Sequence, residues 1–102
     1  MRKRQSRAER RKEIGKELGE EVYSTSQIYE ALVGLLGFSF DRSMVRYYVN
    51  RDSLSLGTRT DGFKSKSAKA LVPYSNLQRL TDAMGYHVSA EQLKEKMHQM
   101  HF

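Results

Sequence analysis

Between residues 24 and 51 the chain starts a helix, stops it and starts another, and this punctuation restricts the fold more than any other feature. Ser24-Thr25-Ser26-Gln27 offers a hydroxyl N-cap with a glutamine three residues on, a pairing that satisfies two orphan amides at once. Ile28, Ala31, Leu32 and Leu35 follow at helical spacing and predict a core helix over Thr25–Leu36. Gly37 closes it in the C′ position, where a left-handed residue is wanted. Phe38-Ser39-Phe40 then reads as a short turn with its rings inward, and Asp41 caps a second helix over Arg42–Arg51. Two helices joined by so tight a connection predict a helix-turn-helix.

On the second helix Met44, Val45, Tyr48 and Val49 form one apolar face, and Arg42, Ser43, Arg46, Tyr47, Asn50 and Arg51 point elsewhere. Those side chains bond phosphates and base edges in a major groove, arginine to guanine and asparagine to adenine in particular. The competing reading is the solvated face of an ordinary surface helix. Against it, no carboxylate falls between the Asp41 cap and Asp52, whereas the preceding segment is rich in them.

After Arg51 the period changes from 3.6 to roughly 2. Leu54, Leu56, Thr58 and Thr60 alternate with Ser55, Gly57 and Arg59, and Asp61-Gly62 is a two-residue hairpin signal. A returning strand from Phe63 is polar at Lys64, Ser65, Lys66, Ser67 and Lys69, apolar at Ala70-Leu71-Val72, and stopped by Pro73. The pattern predicts a hairpin whose Arg59, Lys64, Lys66 and Lys69 reach a phosphate backbone or an adjacent minor groove; a merely solvated loop is the alternative. Leu77, Leu80 and Met84 recur at helical spacing up to Gly85. Ser89 then opens a last helix with Gln92 completing a capping box, Val88 and Leu93 forming a hydrophobic staple, and Leu93, Met97 and Met100 as its stripe. Upstream, Arg4 to Glu21 consists mostly of helix formers, with Ile14 and Leu18 four apart, and predicts a helix from about Arg7. The fold class is therefore mainly α with a small β-hairpin wing, a winged helix-turn-helix over residues 22–102 behind a basic arm and helix over residues 1–21.

Charge sharpens the functional expectation. The 102 residues carry 18 Lys+Arg and 12 Asp+Glu, a formal +6. Residues 1–12 hold Arg2, Lys3, Arg4, Arg7, Arg10, Arg11 and Lys12 against Glu9, and residues 42–79 hold eight bases against Asp52 and Asp61. Between them, residues 13–41 contain six acids and only Lys16. An arm and a docking surface divided by an acidic segment is the distribution of a nucleic-acid binder. The acidic helix is expected to face away from DNA or toward a partner.

Other classes are excluded or disfavoured by what the chain lacks. It has no cysteine, which removes thiol catalysis, disulfide scaffolds and thiolate zinc sites and fits a reducing compartment. The longest apolar run, Ala31 to Phe38, is broken by Gly34 and Gly37 and is too short to span a bilayer. No nucleophile stands beside an orienting base. His98-x-x-His101 places two potential ligands on one turn, a pair that does not by itself make a metal site. The expectation is a non-enzymatic chain without cofactor or metal, soluble, cytoplasmic and nucleoid-associated.

Helix Ile28–Leu36, then Val45-Arg46-Tyr47-Tyr48, Leu54, Arg59 with Asp61-Gly62-Phe63, Tyr74, Leu77 and Leu80, and finally Gly85 with Val88-Ser89 before Leu93 together resemble the DNA-binding domain of the MerR family. The resemblance covers residues 25–97. It implies that Arg46 and Tyr47 lie on the DNA side with Tyr47 at the backbone, that Tyr48 packs against the wing, and that Arg59 beside Gly62 clamps a phosphate. The wing's return limb is longer than the family pattern, so nothing is inherited for Lys64 through Lys69. Only fourteen residues run from Ser89 to Phe102, which leaves out the family's long C-terminal coiled coil and any effector domain. The likeness is therefore to stand-alone members: phage excisionase-like architectural proteins, plasmid partition or transfer factors, and short repressors, with no small-molecule effector.

The leading expectation is a sequence-specific double-stranded DNA binder acting as a homodimer or cooperative oligomer, because a single module of this size buries only about 600–1,000 Å² on DNA. Self-association is expected through an exposed Leu93/Met97/Met100 stripe on the terminal helices. The alternatives are an RNA-binding protein using the arginine-rich arm and a protein–protein adaptor. The first would place stacking aromatics on an exposed sheet, whereas three of the six tyrosines, Tyr29, Tyr47 and Tyr48, fall on expected helices.

Overall fold

The computed structural model describes residues 7–58 and 69–100. The chain is mainly helical, with a small two-stranded antiparallel sheet. Among the described residues five α-helices, α1 (Arg7–Leu18), α2 (Thr25–Leu36), α3 (Ser43–Arg51), α4 (Leu77–Met84) and α5 (Ala90–Gln99), accompany strands β1 (Val22–Ser24) and β2 (Leu71–Pro73).

The local signals act as their chemistry dictates. Ser24 Oγ accepts from the Gln27 amide at 3.1 Å and Gln27 Oε1 accepts from the Ser24 amide at 2.8 Å, so α2 begins on a reciprocal box. Ser89 and Gln92 repeat the device at α5. Gly37 and Gly85 end α2 and α4 with φ of 78° and 79°, a conformation that a Cβ would oppose. Asp41 Oδ1 accepts from both the Ser43 amide (2.9 Å) and the Ser43 hydroxyl (2.8 Å). It therefore caps α3 as expected, with the helix itself opening one residue late, at Ser43.

One core joins four of the helices. Ile28, Ala31 and Leu32 of α2, Val45 and Val49 of α3, Leu77 and Leu80 of α4, and Leu93 and Met97 of α5 are buried together with Tyr23, Leu54 and Val72. This corrects the expected association surface: Leu93 is fully buried, Met97 is 2% exposed, and Met100 packs against the same core. The amphipathic stripe of α5 is consumed inside the chain, against α2, and cannot serve a second copy.

The strand expected from Leu54 is also corrected. Leu56–Thr58 is a 3-10 turn, and Leu54, Ser55 and Leu56 are all buried, so the segment has no solvent face and its alternation is not that of a half-exposed strand. The two leucines serve different cores: Leu54 joins the main cluster, whereas Leu56 packs with Val22 and Leu71 under Ile14 and Leu18 of α1. The sheet partner of β2 is β1, with Tyr23 opposite Val72, instead of the outgoing limb of a hairpin. Residues 59–68, which hold Arg59, the Asp61-Gly62 tip, Lys64 and Lys66, lie outside the described residues, as do Arg2, Lys3, Arg4 and Phe102.

The two ends of that segment nevertheless meet. A Cβ on Gly57 would stand 2.9 Å from both Cα and N of Lys69, so the chain leaves and returns at one point and only glycine allows the approach. Gly57→Ala is therefore expected to cost about 1–3 kcal/mol, because the obstacle is backbone and cannot swing aside. A urea midpoint equal to that of the unmodified chain would overturn the contact.

β1 is pinned from outside by a polar cluster. The buried Tyr23 hydroxyl donates to Glu21 Oε2, which also lies 3.1 Å from His98 Nε2 of α5. Burial pushes the Glu21 carboxyl up, but the hydrogen bonds from Tyr23 and His98 outweigh it and hold it below its usual range. Burial, then the Glu21 hydrogen bond and charge, push the Tyr23 hydroxyl far above its ordinary 10.0. A group whose folded pKa is raised gives stability that is whole below the unfolded pKa and is lost as pH rises beyond it. Denaturant midpoints are thus expected to fall as pH rises past 10.0, and Tyr23→Phe to shrink that fall. Parallel profiles for the two proteins would refute the coupling.

Candidate nucleic-acid interface

The turn at residues 37–42 and the buried Val45 and Val49 fix which way α3 faces. With those two side chains in the core, Arg42, Ser43, Arg46, Tyr47, Asn50 and Arg51 are all exposed, which is the division the helical spacing predicts. Met44 and Tyr48 sit at the margin, Met44 36% exposed and Tyr48 partly buried against the core. Tyr47, at 60%, is among the most exposed large side chains.

The six side chains are not equally available. Arg42 Nη2 lies 3.1 Å from Glu30 Oε1 on α2, and its guanidinium stands over the Tyr29 ring at 5.1 Å. Arg51 bonds Asp52 twice, Nε to Oδ1 at 3.1 Å and Nη2 to Oδ2 at 3.2 Å, while covering the Tyr48 ring at 4.6 Å. The Arg51 bonds hold the Asp52 carboxyl below its usual range, and the Ser43 bonds do the same for Asp41. Ser43 is occupied by Asp41. Tyr47 leans edge-on against Tyr48 with centroids 5.2 Å apart, and its hydroxyl has no partner among the described residues. Arg46 and Asn50, four residues apart and hence one helical turn, have no side-chain hydrogen bond or ion pair among the described residues.

Exposed ion pairs of this kind are worth about 0–1 kcal/mol. Arg42 and Arg51 can therefore exchange a carboxylate for a phosphate at little cost. Nothing in the local pattern singles out Glu30, because its contact with Arg42 joins two different helices. Glu30 is the one acid of residues 13–41 that falls within α2, and its carboxylate stands against Arg42 at the start of α3.

The remaining expected contacts are distributed unevenly. Lys69 is exposed beside Gly57, at the point where residues 59–68 return. Arg10 is exposed on α1, and Arg11 is half-buried along a groove between α1, β1 and α5 that Lys12, Lys16, Glu20, Glu21 and Met97 also line. The second half of α1 is held to the fold through Ile14 and Leu18. Tyr48 packs on the main core and under Arg51; any contact with the wing falls among residues outside the described set. No group of three or more potential metal ligands occurs among the described residues, and no described helix is long and apolar enough to cross a membrane. No protein-family model, curated protein or solved structure matches the chain.

Proposed function

We propose that the chain is a winged helix-turn-helix protein that binds double-stranded DNA sequence-specifically, with α3 in the major groove and residues 58–69 and the basic arm on the flanking backbone or minor groove. The observation that carries this reading is the outward face of α3, where four basic or amide side chains and Tyr47 stand free of carboxylates except at its two ends. At those ends Glu30 and Asp52 hold Arg42 and Arg51 in place. A major groove about 12 Å wide admits one helix, and the nine residues of α3 present Arg46 from near its middle and Asn50 one turn on, next to its last residue. Transcriptional regulation, recombination and plasmid segregation are the settings that the resemblance to stand-alone MerR-like factors suggests.

The arm adds phosphate contacts in this scheme. Removing residues 2–12 whole would cut into α1, so the appropriate variant deletes residues 2–6 and carries Arg10→Gln and Lys12→Gln. It is expected to weaken binding on all sequences alike and to reduce the dependence of log K on log salt, by about 0.9 for each phosphate no longer neutralised. Titration of duplex DNA and of single- and double-stranded RNA at two salt concentrations tests the reading. Tighter binding to RNA, or no binding to any duplex, would overturn it.

A further inference from the structure

The groove between α1, β1 and α5 encloses about 750 Å³ and takes none of its lining from α3. Small-molecule sites span about 300–1,000 Å³. Its wall holds a donor with nothing to donate to. Gln27 is 6% exposed, and its Oε1 accepts from the Ser24 amide at 2.8 Å, which turns the two Nε2 hydrogens the other way. Nε2 has no partner among the described residues, yet no fully enclosed side-chain nitrogen or oxygen there goes without one. The NH2 group therefore opens onto free space, and the space that Gln27 lines is the groove. We propose that this groove binds a small organic anion with an apolar body, its acid group on Lys12, Lys16 and the Gln27 amide and its body on Val22, Tyr23 and Met97.

The sign of the ligand follows from which charged groups are already engaged. Both carboxylates of the groove are tied into the fold: Glu20 accepts from the Ser75 amide at 2.7 Å, and Glu21 accepts from the Tyr23 hydroxyl and stands 3.1 Å from His98 Nε2. Lys12 and Lys16, four residues apart and so on one face of α1, are exposed and have no hydrogen bond or ion pair among the described residues. The groove thus offers unengaged donors and positive charge, the complement of a carboxylate or a phosphate ester.

The remaining lining sets the body. Val22, Tyr23 and Met97 are otherwise buried, and Gly15 and Gly19 put no side chain into the α1 wall. A ring or acyl chain can lie on such a surface, which a bare inorganic ion would leave uncovered. Concavity selects a small molecule over nucleic acid: a duplex can reach the two exposed lysines, but a phosphate fixed on a duplex stays outside an amide as covered as that of Gln27. The MerR-like resemblance carries no small-molecule effector, and this groove supplies a place for one from residues that take no part in α3.

Titration of the full chain with naphthoate in the absence of DNA, followed by magnetic resonance, tests the site independently of any DNA-binding result. The Gln27 side-chain amide, the Gly15 amide and the Met97 methyl are expected to shift along one saturable curve while the Asn50 side-chain amide of α3 holds still. Gln27→Glu keeps an oxygen for the Ser24 amide and so preserves the capping box, but sets a carboxylate where the NH2 donor stood; affinity should fall about tenfold or more. Lys12→Gln combined with Lys16→Gln, at exposed positions that the core does not use, should weaken naphthoate by a similar factor with the fold intact. Naphthylmethanol and inorganic phosphate each carry half of the recognised chemistry and should both bind more weakly than naphthoate. Equal binding of either half, no approach to saturation at about 10 mM naphthoate, shifts confined to α3, or undiminished affinity in both folded variants would each overturn the proposal.

Discussion

Leu93→Ala is expected to remove about 2–5 kcal/mol of folding stability, the range for a buried leucine whose cavity cannot fully collapse. Against a total of about 5–15 kcal/mol for a domain, that is enough to leave a measurable unfolded fraction near physiological temperature. The site is tightly enclosed: Leu93 is fully buried and shares its cluster with Ile28 and Leu32 of α2 and with Met97 one turn on. Neighbours on two different helices cannot both close on the void. The same substitution on a solvent-facing stripe would change stability by about 0.5 kcal/mol or less and would instead reduce self-association. Urea denaturation together with sedimentation separates the two outcomes, and a shift below about 1 kcal/mol would show that α5 does not pack on α2 as described.

The second large effect concerns discrimination. On a duplex selected by the protein, Arg46→Ala and Asn50→Ala are each expected to cost about 1–3 kcal/mol, the value of a bidentate base contact. On random duplex Asn50→Ala should change binding little, since an amide contributes no phosphate neutralisation. Arg42→Gln and Arg51→Gln should behave differently, weakening all duplexes together and each lowering the salt slope by about 1. The distinction follows from geometry: the two flanking arginines are already tied to carboxylates at the helix ends, while Arg46 and Asn50 stand untied one turn apart. Equal losses on selected and random duplex for the Asn50 variant would count against direct readout by α3.

The helices were legible because their signals are local. A hydroxyl at 24 or 89 with glutamine three residues on, and glycine at 37 or 85, act through bonds spanning a few residues, and the helix ends fall at those residues. Burial of Val45 and Val49 with exposure of Arg46 and Asn50 was legible for the same reason, from a period of about 3.6. What was not legible depends on contacts distant in sequence. Alternation at Leu54 and Leu56 reads as one face of a strand, but each leucine is claimed by a different cluster, and nothing local announces the second cluster assembled from α1 and β1. Pairing of Val22–Ser24 with Leu71–Pro73 joins segments almost fifty residues apart, too short to carry a periodic pattern of their own. The stripe on α5 is apolar as its spacing indicates; its partner, α2, could not be deduced from α5 alone. Phe38, 52% exposed, went the opposite way, since hydrophobicity alone does not distinguish a core ring from one that reaches solvent beyond a glycine turn.

The approach of Gly57 to Lys69 has a practical meaning for engineering. A segment whose two stems are already locked together behaves as a closed port: what is threaded between them neither stretches nor twists the body that carries it. Lengthening such an excursion costs only about 0.6 kcal/mol for each doubling. Exchange of residues 59–68 for segments of other length or composition should thus leave the helical body standing, so that this stretch can be retuned, tagged or grafted separately from α3.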